Sequence, residues 1–206
     1  AESRLGISSR RPLPKWSSHP WRESEANGAL GPGDAFPAVA LFVDTFTRWF
    51  EPEVARAALD VLSQTRQTSG GVRAKGRPLC CGRTYLSAGL LDEAREEGHR
   101  VIDAMLPYAA NGIPVVGLEP SCVYTIKEDL PRLIPTEDAR RVADNMILFE
   151  EAIDADLESG ITLPFVQQSG SAKVHGHCHQ KAAGSADVTA RLLNRIPGFD
   201  AELIEA

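Results

Sequence analysis

Four cysteines offer the most distinctive chemistry in the sequence: Cys80, Cys81, Cys122 and Cys178. Cys80 and Cys81 are adjacent and precede a glycine in the stretch RPLCCGRTYLSAG. Adjacent cysteines bridge each other only through a strained ring, so three interpretations compete: two buried small side chains, a redox pair, or two thiolates that bind one metal centre. Four cysteines in a chain of 206 residues do not fit a secreted disulfide framework, which favours thiols that bind metal or take part in catalysis.

The positions of the cysteines favour the metal-binding interpretation. Cys80 and Cys81 follow one predicted strand, Cys122 follows another, and Cys178 follows a third. Because the carboxyl ends of parallel strands share one edge of a sheet, we expect the four thiols near that edge. Gly82 gives the backbone the freedom to turn both neighbouring thiols to one side, and a predicted helix start at Cys122 favours its thiolate. Soft thiolates suit an iron–sulfur cluster or Zn²⁺.

The segment HGHCHQ adds three histidines around Cys178, namely His175, His177 and His179. His-x-His is a frequent zinc pair, so a zinc site that uses His177 and His179 is one interpretation. The alternative is that His175 or His177 hydrogen-bonds the backbone where the strand ends. A third role, for His179, is to donate a hydrogen bond to a thiolate ligand.

Alternating buried strands and amphipathic helices must position these groups. Residues 38–43 and 113–119 are apolar runs typical of strands buried on both faces of a parallel sheet, and a short strand is expected near VRAKG at 72–76. Helices are predicted over 51–64, 90–112 and 137–158. Another helix is predicted to start at Ser121 and to be interrupted by Pro131. Val54 is assigned to the buried face of the helix over 51–64, and Leu91 to that of the helix over 90–112. This order predicts an α/β fold with an open parallel Rossmann-like sheet flanked by helices.

The C-terminal part of the chain repeats the beginning of this pattern. Residues 172–180 predict a strand that runs into a turn, TARLLNRI predicts a helix, and FDAELIEA predicts a strand. We therefore expect an irregular arm or linker over 1–35, one full βα repeat unit over 36–170, and the start of a second, truncated unit over 171–206. The second unit stops where another Cys-Cys-Gly would be expected, and the chain begins with Ala, so we expect a fragment of a longer protein.

Charge and motif content argue against several functional classes. The net charge of −6 without a basic run argues against a nucleic-acid partner. No apolar stretch approaches the roughly 20 residues of a transmembrane segment. The sequence shows no G-x-G-x-x-G, no P-loop and no recognisable Ser-His-Asp motif, and it has no room for a separate FAD domain. We expect a cytoplasmic protein that catalyses no reaction by itself.

Four segments, taken together, are typical of a known family: LFVDTFTRWFEPE, RPLCCGRTY, GIPVVGLEPSC and HGHCHQKA. Over about residues 36–206 the chain resembles the cysteine-rich CCG domain. This domain occurs in one subunit of heterodisulfide reductase, in the cluster subunit of anaerobic glycerol-3-phosphate dehydrogenase and in lactate-utilisation proteins. The resemblance is greatest to the C-terminal iron–sulfur part of FAD-linked oxidases of the D-lactate and D-2-hydroxyglutarate dehydrogenase type.

The resemblance implies a role in electron transfer. FAD in a domain or subunit outside this chain would oxidise a 2-hydroxy acid, and iron–sulfur centres, including 4Fe-4S clusters, would pass electrons to an acceptor such as a quinone. By position, Cys80, Cys81 and Cys122 match cluster ligands of the first CCG motif, and Cys178 matches the opening cysteine of the second. Such partners would place the protein at the inner face of the membrane without a transmembrane segment of its own.

The chain departs from the family pattern at two positions, because Thr45 and Glu119 stand where the fuller motif has cysteines. Glu119 is interpreted either as an oxygen ligand of the metal or as a capping carboxylate, and Asp44 and Arg83 at the same edge are interpreted as structural. These departures support a rival hypothesis, a degenerate zinc-binding or metal-free interaction module that docks partner domains without a redox role. A third hypothesis, by analogy with the heterodisulfide enzyme, is a thiol-dependent disulfide reductase.

Overall fold

Four parallel strands form the central sheet of the protein in a computed structural model. The structure describes residue 12 and residues 14–26, 36–66 and 68–204. The strand order is β2-β1-β3-β4, with β1 at Val39–Phe42, β2 at Ser69–Gly71, β3 at Val115–Gly117 and β4 at Met146–Leu148. Helices pack on both faces of the sheet, so the predicted α/β fold with an open parallel sheet is confirmed.

The helices lie between the strands, as parallel connections require. Between β1 and β2 are α1 (Thr45–Trp49) and α2 (Pro52–Thr65), and between β2 and β3 are α3 (Arg83–Ser87) and α4 (Leu91–Ala110). After β3 come α5 (Pro120–Tyr124), a π-helical stretch (Thr125–Asp129), α6 (Leu130–Leu133) and α7 (Glu137–Asn145), and α8 (Phe149–Glu158) follows β4. The last elements are β5 (Gly170–Val174), α9 (Cys178–Ala183), α10 (Asp187–Leu193) and β6 (Phe199–Leu203). Within the described part of the chain, no helix has both the length and the apolar character needed to span a bilayer.

Strand β1 is buried along its whole length, which explains why its sequence VALF shows no polar alternation. Ala40 and Phe42 pack into one core with α4, α5 and α7, while Val39 and Leu41 pack into a second core with α2 and α8. The two cores lie on opposite faces because successive side chains of a strand point to opposite sides. Because the sheet packs against helices on both faces, the positions of its strand ends are well determined.

Three predicted elements differ from the structure. The prediction that Pro131 interrupts the helix from Ser121 is wrong, because the chain stays helical through Pro131 to Leu133; Pro131 is the second residue of α6, where a missing N–H is tolerated. The helix predicted over 137–158 is wrong at its centre, where Met146–Leu148 leave the helix and pair with Val115–Gly117. A three-residue apolar run has the same pattern in a buried helix and in a buried strand, so only the pairing partner decides between them. The strand predicted near 72–76 lies earlier, over Ser69–Gly71, and only the Val72 N–H still donates to Leu41 O, at 2.9 Å.

Two residues assigned to buried helix faces are exposed. Val54 is 43% exposed because the buried face of α2 is one residue further round, on Ala55 and Leu62. Leu91 is 46% exposed because it is the first residue of α4, and the buried stripe of this helix begins only at Ala94. Both errors come from placing an amphipathic face by hydrophobicity alone.

Strands β5 and β6 form a separate two-stranded parallel sheet, connected through α9 and α10 in the predicted β-α-β order. Helix α10 docks on α8 through Asp154, whose carboxylate accepts hydrogen bonds from Arg191 Nε at 2.7 Å and Arg195 Nε at 3.0 Å. Burial opposes ionisation of Asp154, but these hydrogen bonds outweigh it, and the pKa of Asp154 is lowered. The ion pairs of the buried Asp154 thus hold α10, which connects β5 to β6, against α8, which packs on the first sheet.

The described part of the predicted N-terminal arm packs against the first sheet. Trp21 is buried in the core with α2 and α8, and Glu23–Glu25 form a 3₁₀ turn. Trp16 is largely exposed and lies against the ring of Phe50, with the ring centroids 4.8 Å apart. Residues 1–11, 13 and 27–35 of this arm lie outside the described residues, and the predicted boundaries near 35 and 170 stay predictions.

Candidate functional site

The carboxyl ends of β1, β2 and β3 surround a cavity at the point where the strand order reverses. From β1 the chain crosses to β2 on one side and then returns to β3 on the other side of β1. Open parallel sheets bind ligands in the crevice at such a switch point. The cavity has a volume of about 260 Å³ and is lined by Thr45, Phe46, Cys80, Cys81, Arg83, Thr84, Glu119, Ser121 and Cys122. Three of the four cysteines therefore converge as predicted, and Cys178 is not among the lining residues.

The Cys-Cys-Gly loop is fixed by a left-handed glycine and by two buried anchors. Gly82 has a φ of 84°, a conformation that residues with a side chain rarely adopt, and this confirms the predicted turn. Leu79, just before the cysteines, is buried in the core on the α4 face of the sheet. The backbone N–H of Cys80 donates to Glu97 Oε1 at 2.7 Å. The loop therefore presents its thiols from a fixed backbone.

Glu97 organises this loop and was not identified from the sequence. Its side chain is fully buried on α4 and forms ion pairs with Arg77 at 2.7 Å and with Arg100 at 2.6 Å. A buried carboxylate is tolerated only when it is paired and hydrogen-bonded, and Glu97 meets both conditions. The signal that could have found it was its place between Ala94 and Val101 on the apolar stripe of α4, where an ionised side chain requires partners.

Cys122 reaches the cavity because α5 begins soon after β3. Gly117 ends β3, and a Cβ at this position would lie 2.5 Å from Val123 Cγ2, so a side chain there would push α5 away. Glu119 caps α5, since its Oε1 accepts hydrogen bonds from Ser121 N at 3.2 Å and from Ser121 Oγ at 2.8 Å. Cys122 is the third residue of α5, which confirms the predicted helix N-terminus at this cysteine.

Two of the three thiols of the cavity are in direct contact. The Sγ atoms of Cys81 and Cys122 are 2.9 Å apart, and both residues are buried, while Cys80 is half-buried. The hydrogen bond with Cys122, together with burial, raises the pKa of Cys81 to about 12. The hydrogen bond with Cys81, together with burial, also raises the pKa of Cys80. Both thiols are therefore protonated at neutral pH, and a metal that binds them must displace protons.

The neighbouring polar residues have identifiable structural roles. Asp44 accepts hydrogen bonds from two backbone N–H groups of α1, at 2.8 and 3.1 Å, and Arg83 forms an ion pair at 3.0 Å with the π-helical stretch. The structural interpretation of both residues is confirmed. Thr45 begins α1 and lines the same cavity as Cys80. For Glu119 the capping role is observed, and its role as an oxygen ligand stays a prediction.

The HGHCHQ segment lies at the carboxyl end of β5 and at the start of α9. His177 Nδ1 accepts a hydrogen bond from the His179 N–H at 3.2 Å, so one predicted backbone hydrogen bond is present. The His179 ring stacks on Tyr124 of α5, with centroids 6.1 Å apart, and on His177, with centroids 5.1 Å apart. Cys178 is exposed. The ligand roles predicted for Cys178, His177 and His179 stay predictions.

The donor chemistry of the cavity fits a thiolate-bound iron–sulfur group, but the sulfur atoms of Cys81 and Cys122 lie closer together than the ligands of a metal. Sulfur ligands of one tetrahedral metal, with metal–sulfur bonds of about 2.3 Å, lie about 3.8 Å apart. The Sγ atoms of Cys81 and Cys122, now 2.9 Å apart, would have to separate by about 1 Å to bind one metal ion, and by more to bind different irons of one cluster. Accordingly, the described residues contain no group of three or more His, Cys, Asp or Glu side chains arranged to hold a metal ion.

A larger cavity, of about 580 Å³, lies beside α4 and the loop that follows β2. Its charged lining residues are Arg73, Lys75, Arg100 and Asp103. None of its lining residues carries a thiol or an imidazole, so its chemistry does not match a cluster or zinc site. The smaller cavity at the switch point is the candidate functional site.

Comparison with known proteins finds relatives along the whole chain. Over 206 residues the chain is 24% identical to a subunit of the anaerobic glycerol-3-phosphate dehydrogenase of Escherichia coli strain K12, and equally to the subunit of the same name from Escherichia coli O157:H7. The chain spans 51% of the length of these relatives. No protein-family model matches the chain, and no solved structure matches it.

Proposed function

We propose that this chain is an electron-transfer domain that carries an iron–sulfur cluster and belongs to a FAD-linked oxidoreductase. It takes electrons from FAD in a domain or subunit outside the chain and passes them to an acceptor such as a quinone. The observation that carries this proposal is the convergence of Cys80, Cys81 and Cys122 on one cavity at the switch point of the sheet. Cysteines that serve only as small buried side chains need not share a cavity, whereas cluster ligands must.

Cys80, Cys81 and Cys122 are the proposed cluster ligands. A [4Fe–4S] cluster takes four ligands, so three thiolates leave one position for another donor. Glu119 is the proposed oxygen donor, since it lines the same cavity and both of its capping hydrogen bonds use Oε1 alone. When bound, the cluster supplies a one-electron redox centre. Glu97 would hold the backbone of the ligand Cys80 through its hydrogen bond with the Cys80 N–H.

Cys178, His177 and His179 are proposed as the first ligands, in sequence order, of a second site. These residues follow β5, and β5, α9, α10 and β6 have the β-α-β order that begins the first unit. Together with the family resemblance, this order supports a first CCG unit over 36–170 and the start of a second over 171–206. The second site requires residues beyond those that line the first cavity.

The relatives support a redox role and a partner. Each is named as a subunit of a dehydrogenase, and the similarity covers every residue of this chain. A protein named as a subunit has at least one partner subunit, which supports a flavoprotein partner here. The family resemblance points to a 2-hydroxy acid as the substrate of that partner, whereas the name of the relatives points to glycerol 3-phosphate. The electron-transfer role is common to both.

Anaerobic reconstitution with iron and sulfide tests the proposal. The whole chain is reduced, reconstituted, freed of unbound iron and analysed for iron, acid-labile sulfide and an electron paramagnetic resonance signal after dithionite reduction. We expect brown protein with bound iron and sulfide in similar amounts, and a signal from the reduced cluster. Protein that retains its fold by circular dichroism but binds neither iron nor sulfide would contradict the proposal.

A second candidate function is a zinc-binding or metal-free module that docks partner domains without a redox role. Two observations favour it: Thr45 and Glu119 occupy cysteine positions of the fuller motif, and the described residues hold no ready-made metal-ligand group. Metal analysis separates the two candidates. Zinc without iron, or no metal with partner binding intact, supports the docking module, and iron with sulfide supports electron transfer.

A further inference from the structure

The contact between Cys81 and Cys122 indicates a second chemistry at the switch-point cavity. We propose that, when no metal is bound, Cys81 and Cys122 form an intrachain disulfide, so that the empty ligand set works as a dithiol–disulfide couple. The inference depends only on the placement of the two thiols. It holds whether or not the protein carries a cluster.

The two sulfur atoms are close to bonding distance. The Sγ atoms lie 2.9 Å apart, and a disulfide bond is about 2.05 Å long, so they need to approach by less than about 1 Å. The residues are 41 positions apart in the sequence and belong to different elements, the Cys-Cys-Gly loop and α5. Gly82 allows the loop to turn after Cys81, and Gly117 leaves room for α5 beside β3.

No other pair among the four cysteines offers the same opportunity. Cys80 also contacts Cys81, but neighbouring residues close a disulfide only through a strained ring. Cys178 is exposed and does not line the cavity. The Cys81–Cys122 pair joins two separate segments and needs little movement, so it is the favoured product of oxidation.

Closure of the disulfide is a two-electron oxidation and requires an oxidant. With a small azo compound such as diamide, one sulfur adds to the N=N bond, and the second sulfur then attacks the first and releases the hydrazine. The S–S bond forms while two S–H bonds break, and both electrons and both protons leave on the reduced oxidant. The cavity of about 260 Å³ gives a small oxidant access to the thiols.

One consequence for metal binding rests on the proposed function. A sulfur atom in a disulfide has no thiolate to offer, so the oxidised chain lacks two of the three proposed cluster ligands. Oxidation would then prevent cluster assembly, and reduction would restore it. The dithiol–disulfide couple would allow the site to bind a cluster only under reducing conditions.

The test uses the metal-free, fully reduced chain treated with diamide, with free thiols blocked afterwards. We expect the four free thiols to fall to two, with a mass loss of two hydrogens and no dimer on a non-reducing gel. Trypsin should release residues 76–83 joined to residues 101–127, and fragmentation of this product assigns the bond to Cys81 rather than Cys80. Cys80→Ser should keep the cross-link and Cys81→Ser should lose it.

The wild-type peptide map decides the proposal even where a variant folds poorly. A monomer that keeps four thiols after diamide, or whose cross-link joins Cys80 to Cys81 or includes Cys178, overturns it. Iron uptake by the oxidised and the re-reduced chain then separates the two proposals. Equal uptake in both states leaves the mapped disulfide intact and contradicts the ligand assignment, and no uptake in either state contradicts only the cluster.

Discussion

The carboxyl edges of the two sheets carry similar residues but are built differently. Strands β1 and β2 are buried along their whole length, whereas in β5 and β6 only Ala201 is fully buried. At the first edge three cysteines share a cavity, and at the second Cys178 is exposed. Among the described residues, the same β-α-β order encloses a thiol site only at the edge where further strands and helices cover the strand ends.

The two edges also depend on different buried charges. At the first edge Glu97 holds the Cys-Cys-Gly loop from inside the core. The second sheet depends on Asp154, which holds α10 against α8. Changes at these carboxylates should therefore act on different halves of the molecule, and changes at the cysteines should act on metal binding.

The largest expected effect is on iron binding when a converging cysteine is removed. Cys122→Ser should abolish most of the iron and sulfide bound after anaerobic reconstitution, because it removes the ligand that α5 contributes. Cys178→Ser should cost far less, because Cys178 does not line the cavity. Iron analysis of both variants checks the comparison. Equal losses would mean that the two edges contribute to one site.

Glu97→Gln should cause the largest loss of stability. The change breaks ion pairs of a fully buried carboxylate with Arg77 and Arg100, and we expect the free energy of unfolding to fall by about 3 kcal/mol. Urea unfolding measures the change. The neighbouring and exposed Glu96→Gln is the matched control and should shift it by less than about 0.5 kcal/mol. Similar values for the two variants would contradict the role of Glu97.

Asp154→Asn should weaken the second sheet selectively. It removes charge-assisted hydrogen bonds from Arg191 and Arg195, both partly exposed, and we expect a cost of about 1.5 kcal/mol. Amide hydrogen exchange should become faster in β5 and β6 and stay unchanged in β1 and β3. Faster exchange in both sheets would show that the two sheets unfold as one unit.

The same carboxylate predicts an acid dependence. Because the pKa of Asp154 is lowered in the folded state, its contribution is complete above about pH 4 and is lost as the pH falls through the folded pKa. Thermal unfolding between neutral and acidic pH should show a smaller acid-induced loss for Asp154→Asn than for the wild type. Parallel pH profiles would contradict this assignment.

The smallest expected effect concerns Glu119. Glu119→Ala removes the α5 cap and should cost about 1 kcal/mol, whereas Glu119→Gln keeps an acceptor oxygen and should cost less. If Glu119 is also an oxygen ligand, both variants should bind the cluster more weakly, which iron retention during chelator challenge measures. Wild-type retention in both variants would limit Glu119 to the capping role.

The sequence predicted that Cys80, Cys81 and Cys122 converge, because the positions of strand ends can be inferred locally. Cys80, Cys81 and Cys122 each follow a strand, and the ends of parallel strands must share an edge. Gly82 was identifiable as the turn residue because an adjacent pair of thiols can face one side only if the backbone bends. The parallel sheet followed from buried apolar runs such as residues 38–43.

The rest depends on contacts between distant segments that a sequence pattern does not encode. The partners of Glu97 come from the loop and from the next turn of its own helix, and the contact of Cys81 with Cys122 spans 41 positions. Strand β4 was missed because three apolar residues carry no period of their own.

The central claim is that the three converging thiols hold an iron–sulfur cluster, and iron K-edge X-ray absorption of the reconstituted chain tests it most directly. The account predicts sulfur neighbours and iron neighbours around each iron in the wild type. It also predicts the loss of this pattern when Cys80, Cys81 and Cys122 are all replaced by serine. Iron surrounded only by oxygen or nitrogen in the wild type, or the same spectrum in both proteins, would contradict it.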